Sequence, residues 1–203
     1  MSLSNLPFNW FDVLLVVVLA LGIRHGRKHG MSEELFGMLR WITIAVGCAF
    51  LYGPVGDMLA QFASFSLLSS YLIAYIVIAL IIFAIFAGLQ RALGGKLVGS
   101  EVFGRSEFYL GMLGGLIRFS CVLIAGIALL NARLYTQKEV TGNEAYQNDV
   151  YGTNFFPTLY SIQAQVFDTS LTGPWIKHQM GFLLIKPTAP ENKQFVQKQF
   201  AVP

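Results

Sequence analysis

Three ionisable side chains, Asp12, Arg40 and Arg118, sit inside long apolar stretches of a 203-residue chain. Each such residue costs about 2.5–3.5 kcal/mol at a bilayer centre, which makes it a functional candidate by default. Asp12 stands 11 residues before Ile23 and Arg118 10 residues after Phe108, about 16 Å and 15 Å at helical rise, so one depth is expected for both. Facing each other across the first and fourth apolar segments, they would neutralise one another and orient the two helices. A sharper role, lining a hydrophilic pathway, needs further polar groups, and no second carboxylate or histidine lies within the apolar runs, Glu33 and Glu34 only flanking the second run, Leu35 to Leu51, to continue a relay. The structural role is therefore favoured for the Asp12 and Arg118 pair. Arg40 lies about 9 Å along its helix from Glu34 and is expected to snorkel to the surface.

Other chemistry is sparse. His25 and His29 are spaced to share a helix face, but metal sites take three or four ligands and no Cys, Asp or further His stands at suitable spacing. A basic loop meeting anionic headgroups is the expected reading, with no metal or cofactor. Cys48 and Cys121 lie in apolar segments at similar depth, where burial as small apolar side chains is the default and a disulfide remains open. No G-x-S-x-G elbow, Walker sequence or dinucleotide fingerprint occurs. No catalytic or cofactor-binding residue is assigned, and the chain is not expected to be an enzyme.

The elements that must position these residues follow from composition. The chain is 55% apolar and only 12% charged, about half the charge of an average soluble domain. That argues against a soluble enzyme, a disordered chain and, with a net charge of +3, a nucleic-acid binder. Spanning helices need about 20 mostly apolar residues, and segments 8–23, 34–53, 71–89 and 108–130 approach or meet that length. The expected fold is an all-α integral membrane protein: a bundle of four transmembrane helices over residues 1–130, with a C-terminal extramembrane tail of short amphipathic helices over residues 131–203. The first segment is not read as a signal peptide, because its basic residues follow the apolar run instead of preceding it. Arg24, Arg27 and Lys28 in the first loop, and Arg91, Lys96 and Arg105 in the third, face a second loop without Lys or Arg. By the positive-inside rule both basic loops are cytoplasmic and both termini extracytoplasmic.

Glycine spacing suggests how the helices meet. Gly22, Gly26 and Gly30 recur every four residues, as do Gly111 and Gly115, and such small-residue faces let helices approach closely in lipid. A phosphate-cradling loop is the weaker reading, since GRKHGM lacks the Gly-Lys-Ser/Thr ending.

Three motifs in order resemble the colicin V production (CvpA) family of bacterial inner-membrane proteins. Asn9-Trp10-Phe11-Asp12 is similar to that family's N-W-x-D opening, and Gly26 to Gly30 followed by Glu34 is similar to its basic G-x-x-x-G loop and glutamate. Leu110-Gly111 through Gly115 to Arg118 resembles the L-G-x-x-x-G-x-x-R opening of its last helix. The sequence departs from the family at Glu107-Phe108, where Asp-Arg is usual, and at Phe119, where Gly is usual; Arg105 is a candidate substitute for the missing arginine. The resemblance covers about residues 8–130 and implies a multi-pass inner-membrane protein associated with colicin V production or export.

The tail is read from its own residues. A polar linker is expected over 136–154, then a helix starting at Pro157 with Leu159, Ile162, Val166 and Phe167 on one face, and a weaker helix from Gly173-Pro174-Trp175. These lie on the outer membrane surface or on the bundle's end, and residues 191–203 are expected to be disordered or partner-bound. Two functions fit: a membrane scaffold or assembly and export factor, acting through helix–helix and tail–partner contacts, or a subunit of a small oligomeric channel or transporter. The partners expected are the lipid bilayer and either a second copy or other membrane proteins, with no nucleic acid.

Overall fold

A computed structural model describes residues 9–63, 65–97, 104–152 and 158–189. It is all helical apart from one isolated bridge, Arg133 to Thr188, among the described residues. The long helices are α1 (Trp10–Ala63), α2 (Leu67–Leu97) and α3 (Glu107–Asn131). Each is long and apolar enough to cross a membrane.

The first of these is two helices in one. At Gly30 the backbone takes φ 76° and ψ 172°, a region essentially closed to residues with a Cβ. The chain reverses there, so residues 10–29 form a first arm and 31–63 a second. Two expected boundaries change as a result. The first segment does not end at residue 23 but runs helically through Arg24, His25 and Lys28 to the break, and the second continues past residue 53, through Pro54, to Ala63. The segments expected at 71–89 and 108–130 lie within α2 and α3.

The first arm packs antiparallel to α3, and the second arm packs antiparallel to α2. Gly26 sits against Gly111 and Gly22 against Gly115 on one side. On the other, the Cys48 thiol donates to the Tyr75 carbonyl at 3.6 Å, and Gly56 abuts Tyr71. Both cysteines are free thiols. Helices α2 and α3 lean on the second arm and hardly on each other. Large apolar side chains such as Phe50, Phe62, Leu80 and Ile85 project outward, as lipid-facing positions do when lipid is as apolar as they are.

Past α3 the expected linker is largely a helix, α4 (Gln137–Tyr151). Its ends explain why: Thr136 and Glu139 make a reciprocal capping box, and Gly152 closes it in a left-handed conformation. It buries little beyond Val140. The expected start of the next helix at Pro157 lies outside the described residues; α5 (Leu159–Ala164) begins after Thr158, whose hydroxyl accepts from the Ser161 N–H at 3.2 Å. A π turn over 165–169 and α6 (Gly173–Gln179) follow. Residues 158–189 pack on the end of the bundle: Val166, Phe167, Ile176, Leu184 and Ile185 join Phe11, Ile127 and Ala128 in one apolar cluster. Asn131 Nδ2 donates to the Ile185 carbonyl at 2.9 Å, and the Lys186 N–H donates to the Tyr52 hydroxyl at 3.0 Å. The expectation for residues 191–203 lies outside the described residues.

Candidate functional site

Asp12 and Arg118, expected to face each other, do not pair. Gly26 against Gly111 and Gly22 against Gly115 set the register of the first arm on α3, which leaves Asp12 about 10 Å beyond the level of Arg118. Ile23 and Phe108 do not lie at one level, because the ends that meet are Gly30 and Glu107. Measured from there, Asp12 is about 27 Å away and Arg118 about 16 Å. Each finds another partner, at opposite ends of the bundle.

At one end, the first turn of α1 grips the C-terminal segment. Asn9 caps the helix, its Oδ1 accepting from the Trp10 N–H at 2.7 Å, while Asp12 Oδ2 accepts from the Asn9 N–H at 3.1 Å. The Asp12 carboxylate also accepts the Leu171 N–H at 3.0 Å, the Thr172 N–H at 3.1 Å and the Thr172 hydroxyl at 2.6 Å. Asn9 Nδ2 donates to the Gln165 carbonyl at 2.9 Å, and Trp10 Nε1 donates to the Gln165 side-chain oxygen. The N-W-x-D residues therefore act as one clasp. Four donors on a carboxylate that is 4% exposed offset the cost of burying its charge.

At the other end lies a polar cleft of about 240 Å³ that sequence spacing did not disclose. The reversal at Gly30 folds Glu34 back beside His25 and under Arg118. Glu34, only 2% exposed, accepts from Arg118 Nη1 at 3.0 Å and 3.2 Å through its two oxygens. His25 Nε2 stands 3.0 Å from Glu34 Oε1. The rings of His25 and His29 are 4.1 Å apart, and His29 Nδ1 is 2.9 Å from the His25 carbonyl. Glu34 adds a third potential ligand group to His25 and His29, one that spacing conceals because the residues lie on two arms that only the turn brings together. The signal was the Gly30 and Glu34 spacing, read as a motif and not as a fold-back.

The small residues build this end. A Cβ at Gly26 would stand 2.7 Å from the Gly111 carbonyl carbon, and one at Gly22 2.9 Å from the Gly115 carbonyl oxygen. Gly30 abuts the Glu107 side chain, whose Oε1 accepts the Ser32 N–H at 3.3 Å at the start of the second arm. That carboxylate meets the positive end of the helix. All five glycines are thus occupied within the chain, and none of these faces is free for a partner helix. Arg40 lies against α2: its guanidinium is 4.4 Å from the centre of the Phe83 ring, and its Nε is buried without a hydrogen-bond partner. Arg24, Arg27, Lys28 and Arg91 are exposed around the same end of the bundle, where Gln90 joins the cleft.

No curated protein and no solved structure gives a significant match to the chain. A family model does: the one described as "Colicin V production protein" matches residues 11–163, well over half the chain. The match extends past the expected limit at residue 130, through α4 and into α5, while Gln165, Leu171 and Thr172 of the clasp lie beyond it. A membrane protein by its apolar helices, the chain belongs to the colicin V production (CvpA) family.

Proposed function

We propose that this protein is a non-enzymatic scaffold or assembly and export factor of the bacterial inner membrane, holding partner helices against its lipid-facing side. The observation that carries this reading is the groove left between α2 and α3. Because those helices lean on the second arm and hardly on each other, a cavity of about 360 Å³ opens between them. Trp41, Tyr75, Ala79, Val122 and Gly126 are among its walls, and a Cβ at Gly126 would touch nothing. An open apolar groove with small residues on both walls, Ala79 on α2 and Ala125 and Gly126 on α3, suits a transmembrane helix, from a second copy or another membrane protein. Four spans, counting the two arms of α1 separately, would place both termini outside the cytoplasm. The exposed Arg24, Arg27, Lys28 and Arg91 at one end support that orientation.

Purification from membranes in mild detergent tests the proposal. A scaffold is recovered with a partner or as an oligomer, and Gly126→Leu, which fills the groove, releases it while leaving the monomer folded. Recovery of a monomer alone, or of a complex indifferent to Gly126→Leu, refutes it. A second reading, a subunit of a small channel or transporter, is favoured by the His25, Glu34 and Arg118 cleft, since intramembrane ionisable groups mark pathways. Solute or ion flux in proteoliposomes that Glu34→Gln abolishes would select that reading.

A further inference from the structure

We infer that His25, His29 and Glu34 form a binding site for one divalent transition-metal ion of the zinc type, at the basic end of the bundle. Each side chain offers one ligand atom, and the three lie within 4.8 Å of one another. Zinc bonds to imidazole and carboxylate of about 2.0–2.2 Å put tetrahedral ligands about 3.3 Å apart. The 3.0 Å between His25 Nε2 and Glu34 Oε1 is already within a few tenths of that spacing, and the His29 ring, within 4.8 Å of both, completes the set by closing at most about 1.5 Å.

Three details suit a metal. The His25 carbonyl can only accept, so His29 Nδ1 carries the proton, which leaves Nε2 as the nitrogen whose lone pair a metal ion would take. That is the arrangement by which a second hydrogen bond fixes a metal-ligating histidine. Glu34 gives its two oxygens to a single nitrogen of Arg118, so a carboxylate with about four lone-pair sites keeps capacity on its His25 side. Ser32 lines the same cleft, and its hydroxyl, in a residue 6% exposed, has no hydrogen-bond partner. A metal-bound water in the fourth position would give that hydroxyl one. Two imidazoles and a carboxylate favour zinc and its neighbours over calcium or magnesium, which take oxygen ligands. His25 is 41% exposed at its side chain and gives the ion its entry.

The test uses the full chain in detergent, purified without a polyhistidine tag and stripped with chelator. Cobalt(II) is titrated by its visible absorption, zinc is used in competition, and elemental analysis gives stoichiometry. One ion per chain is expected, with at least about tenfold weaker binding in His25→Ala and in His29→Ala. His178→Ala, on α6, should bind as the parent does. Glu34→Gln also disturbs the Arg118 pair and is at risk of misfolding, so His29→Ala, whose ring lies outside that pair, is the deciding variant once its elution is monodisperse. Absence of binding, or binding that survives both His25→Ala and His29→Ala, overturns the site.

Discussion

Gly26→Ala isolates what close helix approach contributes. The added methyl would stand 2.7 Å from the Gly111 carbonyl carbon, nearer still to its oxygen, and 3.1 Å from the Gly115 nitrogen. All three are backbone atoms, so no side chain can rotate away. Ordinary carbon contacts lie at about 3.5–4.0 Å, so the first arm and α3 must part by about 1 Å, and a gap of that size forfeits a quarter to a half of each dispersion contact along the seam. Overpacking costs about 1–3 kcal/mol in general, and rigid backbone on both sides puts this case near about 3 kcal/mol. Lipid supplies no compensating hydrophobic drive to close the seam again. The matched control is Gly142→Ala in α4, where a Cβ meets nothing, and where replacing a helix-interior glycine should be neutral or stabilising by up to about 1 kcal/mol. Reversible unfolding in mixed micelles, followed by tryptophan fluorescence, measures both. If Gly26→Ala were no more destabilising than Gly142→Ala, the glycine faces would not be the seam that holds α3 to the first arm.

Other outcomes follow from the two ends of the bundle. A double-mutant cycle between Glu34 and Arg118 should show coupling above about 0.5 kcal/mol, whereas Asp12 and Arg118 should be additive within that limit; coupling of the second pair would restore the bridge that the register rules out. Removing Glu34 alone should cost about 3–5 kcal/mol by leaving Arg118 unpaired, read as loss of folded protein on size exclusion. Asp12→Ala removes the acceptor of three hydrogen bonds from Leu171 and Thr172, each worth about 1.5–3 kcal/mol when made to a charge. Faster amide exchange at these two residues, with α2 unaffected, is the expected sign; unchanged exchange would sink the clasp. A cysteine at Ser66, in a background lacking Cys48 and Cys121, should react with an impermeant thiol reagent from outside intact cells and one at Lys28 should not. The reverse pattern would invert the proposed topology.

The sequence disclosed the parts of this fold that depend on local composition. The stretch 71–89 falls inside α2 because nothing in it interrupts an apolar helix, and the glycine spacing on the first arm and α3 marks surfaces that do meet. Helix ends were harder, since Arg24, Arg27 and Lys28 look like a loop by charge yet continue the first arm as exposed helical positions. Helix α4 is polar enough to resemble a linker, yet Thr136 and Glu139 spell out its start. The partners of Asp12 and Glu34 depend on where the chain turns. No periodicity reports that a carboxylate at residue 12 will meet amides at 171 and 172, or that one glycine conformation will bring residue 34 back to residue 25.

The clasp also sets an order of events during synthesis. Asp12 and Thr172 are 160 residues apart in the chain, and at about 5–20 residues per second the ribosome needs on the order of 8–30 s to deliver the second after the first. Throughout that interval the Asp12 carboxylate lacks three of its four donors. A carboxylate made early in synthesis is thus completed only when residues 171 and 172 arrive, which ties closure of that end of the bundle to the C-terminal segment.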